Sequence, residues 1–526
     1  MPKGSEAGRP GRGSKGPVRP NSAAVAASLA VVLAILLWTS HDKFARPFLD
    51  TRLHYDHDNA LVSFMARSGN RNGDLRSQFG VTQNRYSGWG IRRGEPAYYT
   101  DHPFLGKALF QQVTRLTGTP PWASRAFSAA VSFAIASGLF VVLLQATGQV
   151  APALSGAAVL AALPLFATYQ TCVKYETDGM AAAVWTFAAL AGFVKHGGRG
   201  RLVLYGAAVA ACFLTHWTAA LEVAAFGAGL LFLWRRRASA RLAQALAATA
   251  AGSAVGIAAL VGWEAWMQRG FGAARDVLAR AFATRSAPVA PGVWWERQRE
   301  YARQNFGVPM LVVALLLAVL LAARWRRSRK PTPSAEVPLL PLFLFATLAA
   351  ALVWLAAFRE GSYVHVYWQY LFCLPLATIA AAFVASLPAG SGGRAAALAA
   401  VALLVASLLG SAQAAYAGIF RDQMGRPEDV AFLESLRNDR FDRFVYVPLT
   451  DVSLNQWFQG PLFEYATDRP VAVAAGPQDL RAGDKMLVLR YKEREDVAAR
   501  VAAWSGKTIS NEKCATRLCA YDVGAP

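Results

Sequence analysis

The chain has 526 residues, of which 54% are hydrophobic and 17% charged, and it carries a formal net charge of +21. So apolar a composition, divided into regular long runs, excludes an ordinary soluble domain and points to a multi-pass membrane protein. The positive charge does not indicate a nucleic-acid partner, because Lys and Arg fall in short clusters between apolar runs, as at Arg235 to Arg237 and Arg324 to Lys330, which is the pattern of cytoplasmic loops.

In chain order, residues 1–21 combine Lys3, Arg9, Arg12, Lys15 and Arg19 with many Gly and Pro, predicting a disordered cytoplasmic segment. The first apolar run, Ala23 to Trp38, is followed by Thr39-Ser40-His41-Asp42 without a small-residue cleavage site, so it is expected to remain as a span. At about 20 apolar residues per span, about eleven transmembrane helices are expected. They cover 22–39, 125–146, 150–170, 178–195, 201–215, 217–234, 243–266, 308–323, 337–357, 366–387 and 395–415. The fifth and sixth are separated only by Thr215-His216-Trp217. With the N-terminus inside, Arg199, Arg235 to Arg237, Arg324 to Lys330 and Arg394 all fall on the cytoplasmic side. The loops 40–124, 267–307 and 358–365 and the tail from Tyr416 then share the opposite side.

In the first outer loop, Leu105, Ala108, Leu109, Gln112, Val113 and Leu116 share a helical face, predicting a helix along the membrane surface. The loop 267–307, with Arg275, Arg280, Arg285, Trp294, Trp295, Arg297 and Tyr301, reads as an interfacial belt or as a cover over a lipid-phosphate site. After Pro427 the pattern changes to short alternating segments. Helices are expected at Glu428 to Leu436, Leu454 to Tyr465 and Asp496 to Trp504, with strands at Phe444 to Val447, Met486 to Arg490 and Leu518 to Val523. This is a small α/β extramembrane domain over 416–526. It holds no Gly-rich phosphate loop, zinc-ligand spacing or nucleophile elbow. Cys514 and Cys519 pair if the tail faces an oxidising compartment, whereas Cys172, Cys212 and Cys373 read as packing residues.

Four polar clusters converge on the outer side. Asp56 and Asp58 flank His57 just beyond the first span, a pair suited to acid–base chemistry or to a divalent metal, with helix capping as the ordinary alternative. Glu176 and Asp178, in Lys174-Tyr175-Glu176-Thr177-Asp178-Gly179, open a later span, where an acid also serves as a cap. His216 lies in a turn that opens outward. Arg359, Tyr363 and His365 lie between the ninth and tenth spans, where an Arg meets an anionic headgroup.

The order of these features resembles the GT-C membrane glycosyltransferases, in particular the protein O-mannosyltransferase and aminoarabinose transferase branch. The carriers are the first-loop acids, the stretch His102-Pro103-Phe104-Leu105-Gly106-Lys107, which is similar to a His-Pro-Pro-Leu-Gly-Lys motif, and Asp178 at the start of a later span. Asp58 precedes Ala66-Arg67 with the family spacing, so the resemblance gives it, rather than Asp56, the general-base role. Two departures are Asn59 in place of the usual Glu and Phe104 in place of the second Pro. The resemblance implies an inverting transfer of a sugar from a polyprenyl-phosphate donor to a glycan, lipid or protein acceptor on the periplasmic side of the inner membrane. Lys107 and Arg359 would hold the lipid phosphate, and Asp178 would orient the sugar or acceptor. His102, Tyr175, Glu176, His216, Tyr363 and His365 would line the substrate site, with a divalent metal at Asp56 and Asp58 as an option. A transporter or flippase for a lipid-linked saccharide is the alternative; it calls for ionisable groups near the bilayer midplane and repeated helices.

Overall fold

The computed structural model describes residues 21–44, 46, 48, 56–72, 82–83, 97–98, 102–327, 338–388, 390–421, 427–439, 441, 443–447, 462–468, 471–474, 477–489, 499, 502–503, 505–515 and 518–524. The first helix, α1 (Ser22–Ser40), starts at Asn21, whose side chain accepts from the Ala23 N–H at 2.9 Å. A second helix, α2 (His57–Asn72), carries Asp58 in its first turn and runs beside α3 (Leu105–Thr117). Three apolar helices follow, α4 (Pro121–Thr147), α5 (Val150–Ala162) and the short α6 (Pro164–Tyr169). Then come α7 (Tyr175–His196), α8 (Arg199–Thr215), α9 (Trp217–Arg237) and α10 (Ala240–Met267).

Helix α11 (Phe271–Arg285) leads to α12 (Pro291–Arg327), which bends at Gly307, where φ is 72°. Before that bend, the polar side chains of Trp294, Gln298, Tyr301 and Asn305 form one stripe along α12. They meet α14 (Arg359–Val364) and the 3-10 turn Val366–Phe372. Trp294 donates to Ser362 Oγ at 2.8 Å, Gln298 to Ser362 O at 2.8 Å, Tyr301 to Tyr363 O at 2.9 Å and Asn305 to Val366 O at 2.9 Å. Around that segment stand α13 (Leu339–Ala357), α15 (Cys373–Ala385) and α16 (Gly392–Arg421).

The polytopic helical architecture expected from the sequence is the one observed. Among the described residues eight helices are long and apolar enough to cross a membrane. The other three expected segments also carry helices: α5 has 13 residues, α8 has 17, and 308–323 continues α12. The expected continuous span over 150–170 is broken, because Pro164 forces Leu163 out of the helical region to ψ 129°. The narrow break between α8 and α9 is a single extended residue, His216, at φ −164°.

The C-terminal region has a short helix, α17 (Pro427–Ser435), and a five-stranded sheet. Its strands are β3 (Arg443–Tyr446), β4 (Val471–Val473), β5 (Asp484–Leu489), β6 (Ile509–Cys514) and β7 (Leu518–Val523); the two-residue β1 (Thr82–Gln83) and β2 (Ala97–Tyr98) pair separately. The sheet order is β4-β3-β5-β7-β6, parallel through β5 and antiparallel beyond it. The strands at 444–447, 486–490 and 518–523 were legible; β4 and β6 were not. Cys514 and Cys519 form a disulfide across β6 and β7. Residues 462–467 are helical, whereas the rest of the helix expected at Leu454 to Tyr465, and most of the one at Asp496 to Trp504, lie outside the described residues.

This sheet touches the acid-bearing helix. Phe48, Ala60 and Phe64 share an apolar cluster with Leu433, Phe463, Tyr465 and Leu487, and each buried phenylalanine contributes about 1.5–3 kcal/mol. Arg67 completes the contact from α2, donating to Asp468 at 2.9 Å, to Tyr465 O at 3.1 Å and to Thr119 Oγ1 at 3.0 Å.

Candidate functional site

The N-terminal end of α2 is built from two ion pairs of different depth. Asp56 accepts from Arg125 at 3.0 Å with both side chains 1% exposed, and the same guanidinium donates to Lys43 O and Arg46 O. Asp58 accepts from Lys174 at 2.5 Å, where the carboxylate is 12% exposed. Between them Asn59 reaches the turn after α6, donating to Thr171 O at 3.2 Å and accepting the Val173 N–H at 2.8 Å. That amide holds α2 on the chain that delivers Lys174. A glutamate in its place would lack the donor that Thr171 O accepts, which gives the departure Asn59 a structural reason.

The second corner joins α3, α7 and α9. A Cβ on Gly106 would lie 2.2 Å from Asp178 Oδ2, so any larger residue would push that carboxylate from its place against α3. Lys107 is 3% exposed; its Nζ lies 4.6 Å from the Tyr175 ring centroid and 3.4 Å from His102 O. The His102 ring stacks on Tyr175 at 4.3 Å and on His216 at 4.9 Å. Asp178 does not cap α7: Lys174 occupies the cap position without a side-chain bond, and the Asp178 carboxyl turns to Gly106. Glu176 is buried two residues from Lys174, within electrostatic reach of it.

Hydrogen-bond logic fixes the histidine protons. The Thr218 backbone N–H donates to His216 Nδ1 at 3.2 Å, so that nitrogen is an acceptor and the proton sits on Nε2. His216 Nε2 therefore donates to His102 Nδ1, 3.0 Å away, and His102 carries its own proton on Nε2. Burial is the main cause that keeps both rings neutral. It pushes His216 down to about 3, with Arg285 and Lys107 adding to it, and His102 well below its ordinary value, with His216 and Arg285 next.

Residues 101–263 match the family described as dolichyl-phosphate-mannose-protein mannosyltransferase. Among solved structures, the chain is similar to ArnT from Cupriavidus metallidurans bound to undecaprenyl phosphate, with a TM-score of 0.55 and 16% identity over 94% of this chain and 97% of that one. The apo state of the same protein gives 0.53 and 15%, again over 94% and 97%. The arabinofuranosyltransferase AftD from Mycobacteria gives 0.55 and 17% over 96% of this chain, which spans 40% of AftD's length. A comparison with curated protein sequences gives no match. The fold is that of the GT-C membrane glycosyltransferases.

Within this GT-C fold the structure unites some of the expected site residues and separates others. His102, Lys107, Tyr175, Asp178 and His216 form one corner, while Asp56 and Asp58 form the other. His365 lies within electrostatic reach of His102 and stacks on Trp368 at 5.4 Å. Arg359 does not join Lys107. It is exposed, its guanidinium 6.0 Å from the Trp294 ring centroid, because the bonds from α12 to α14 anchor its helix on α12. Tyr363 likewise faces Arg297, at 5.3 Å. The cation that does lie within electrostatic reach of His102, His216 and Glu176 is Arg285, at the end of α11. Tyr99, Thr100 and Asp101 of the first-loop stretch lie outside the described residues.

Asp56 and Asp58 do not fit a divalent metal as they stand. Each carboxylate already meets its own cation, so an ion bound between them would have to displace Lys174 and Arg125 or sit beside two like charges. The sequence reading missed Arg125 and Lys174 as site residues. The available signal was charge: both are cations at the ends of apolar runs, where a lone cation calls for a partner.

Proposed function

We propose that this chain is an inverting glycosyltransferase that takes a sugar from a polyprenyl-phosphate donor and places it on a hydroxyl of an envelope glycan, lipid or protein at the periplasmic face of the inner membrane. The observation that carries the reading is the Asp58–Lys174 pair beside the Lys107 corner. The Lys174 ammonium at 2.5 Å fixes the aim of the Asp58 carboxylate, and the partial exposure of Asp58 lets an acceptor hydroxyl reach it. Asp58 takes the hydroxyl proton as that oxygen bonds to the anomeric carbon; the bond from that carbon to the phosphate oxygen breaks on the opposite face, and configuration inverts. Lys107, with Arg285, offsets the charge gathering on the departing lipid phosphate. Tyr175 and His102 offer a stacked wall for the sugar, and Asp178 orients one of its hydroxyls. The undecaprenyl phosphate bound to ArnT supports a polyprenyl carrier here.

In this reading residues 1–21 are a cytoplasmic segment, 22–415 the transmembrane unit and 416–526 a periplasmic domain. Arg235 to Arg237 lie at the end of α9 opposite His216, which supports that orientation. The transporter alternative gains little from the buried acids Glu222 and Glu264. Glu222 is the sixth residue of α9, about 8 Å in from its start at 1.5 Å per residue, and Glu264 is three residues from the end of α10, so neither is at mid-span. The test is transfer from a synthetic polyprenyl-phosphate sugar in detergent, with donor binding measured separately. Asp58→Asn should abolish transfer and keep binding; unimpaired transfer removes Asp58 as the base, and donor movement across liposomes without transfer replaces the enzyme with a flippase.

A further inference from the structure

A cavity of about 290 Å³ lies where α1 ends, against the far end of α16. Its walls are Trp38, His41, Lys43 and Arg46 from the α1 exit, Ala167 from α6 and Tyr416 from α16. Lys43 is 2% exposed; its ammonium donates to Ala167 O at 2.8 Å and lies 4.3 Å from the Tyr416 ring centroid. Arg46 stands 5.5 Å from the same ring centroid and pairs on its outer side with Asp42 at 3.3 Å. Two cations therefore meet one aromatic ring, and the carboxylate of Asp42 pairs with the more exposed of them. One carbonyl and one ring are weak compensation for a buried ammonium, and burial brings Lys43 down to about 7. An anion entering the cavity would restore its charge. Both α1 and α16 are sparsely buried spans, and Trp38 is exposed at the rim, so a lipid can reach the cavity sideways.

We propose that this cavity is a binding site for the phosphate headgroup of a membrane lipid, with the phosphate on Lys43 and Arg46 and the chains leaving along Trp38. Its volume lies at the lower edge of small-ligand pockets, which start near roughly 300 Å³. That is room for a phosphodiester and not for an acyl chain. The backbone carbonyls of Lys43 and Arg46 accept from Arg125, the partner of Asp56. The headgroup site and the acid end of α2 thus share one support.

The full-length protein, delipidated in detergent, would be equilibrated with phosphatidylglycerol, phosphatidylcholine or undecaprenyl phosphate and its bound lipid read by native mass spectrometry. Near a surface each Lys or Arg is worth about 1 kcal/mol toward an anionic lipid, or about fivefold in affinity. Phosphatidylglycerol should be retained over phosphatidylcholine, with about fivefold loss in Arg46→Gln and a further loss in Lys43→Gln/Arg46→Gln. Arg46 is 40% exposed and pairs with the equally accessible Asp42, so its single variant reads binding even where removal of Lys43 prevents folding. Lys107→Ala, in the other corner, should leave this retention unchanged. If undecaprenyl phosphate alone shows that sensitivity to Arg46, the site stands and the carrier lipid is its source. Retention unaffected by Arg46→Gln, or equal retention of phosphatidylcholine, overturns the site whether or not the chain proves to be a transferase.

Discussion

The two corners of the candidate site solve the burial of polar groups in opposite ways. At the end of α2, charge is kept and cancelled in pairs, Asp56 with Arg125 and Asp58 with Lys174. At the junction of α3 and α9, charge is refused: two imidazoles, each with its own proton on Nε2, are joined by one hydrogen bond and stay neutral. A carboxylate aimed by a neighbouring cation presents its oxygens as acceptors, whereas a neutral ring with its proton fixed on Nε2 donates without adding charge beside Lys107. The division suits a reaction that removes a proton at one place and gathers negative charge at another.

The largest effect should come from breaking the partly exposed pair. Asp58→Asn is expected to lower kcat by about 10²–10⁴-fold, the usual contribution of a general base, with donor Kd unchanged by equilibrium binding. Lys174→Met should also lose turnover, since the carboxylate loses its aim and its counter-charge. A kcat within threefold of wild type for Asp58→Asn would mean that the α2 pairs are structural only. Asp56→Asn should behave differently, because it leaves a fully buried Arg125 uncompensated. About 3–5 kcal/mol of stability is at stake, seen as a lower unfolding temperature, while the folded fraction keeps its specific activity. Equal catalytic losses from both asparagine variants would erase the distinction between the two pairs.

How much of this was legible depends on the range of the interaction that decides it. Spans follow from local hydropathy, so the long helices were readable along the chain. The strand Leu518–Val523 was readable because its residues lie on the apolar faces of the sheet. Asp58, His102, Lys107 and Asp178 were found through short motifs, whose residues the fold then brings into two corners. The counter-ions were not found, because Arg125 and Lys174 are 69 and 116 residues from the acids they meet. Arg359 was drawn to the phosphate by its position between spans; the stripe of bonds from Trp294 to Asn305 holds its helix elsewhere. Nothing local in Arg67 announced that it would reach Asp468, 401 residues on, and tie α2 to the sheet.

A smaller effect separates binding from chemistry. Lys107→Ala removes a cation from the lipid phosphate in both ground and transition states, so donor Kd should rise by about 10–100-fold, the range of one charge-assisted hydrogen bond. Arg359→Ala, beside Trp294, should change Kd by less than threefold in the same titration. A larger effect of Arg359 than of Lys107 would move the phosphate site out of the corner.

The smallest and most discriminating effect concerns pH at the neutral corner. The unfolded chain protonates His102 and His216 near 6.5, whereas the folded chain holds His216 down to about 3 and His102 well below its ordinary value. Below 6.5 the unfolded state therefore binds more protons, so the stability contributed by these neutral rings is complete above that pH and falls as the solution is acidified toward 3. Each ring costs up to about 1.4 kcal/mol per pH unit in that window. His216→Gln keeps a side-chain acceptor near Thr218 and cannot take up a proton, so its unfolding temperature between pH 6 and 4 should decline less steeply than that of the wild type. Parallel curves would show that the His216 ring is protonated in the folded protein. The contrast between a charged corner and a neutral one would then be lost, and with it the reason for fixing the proton of His102 on Nε2.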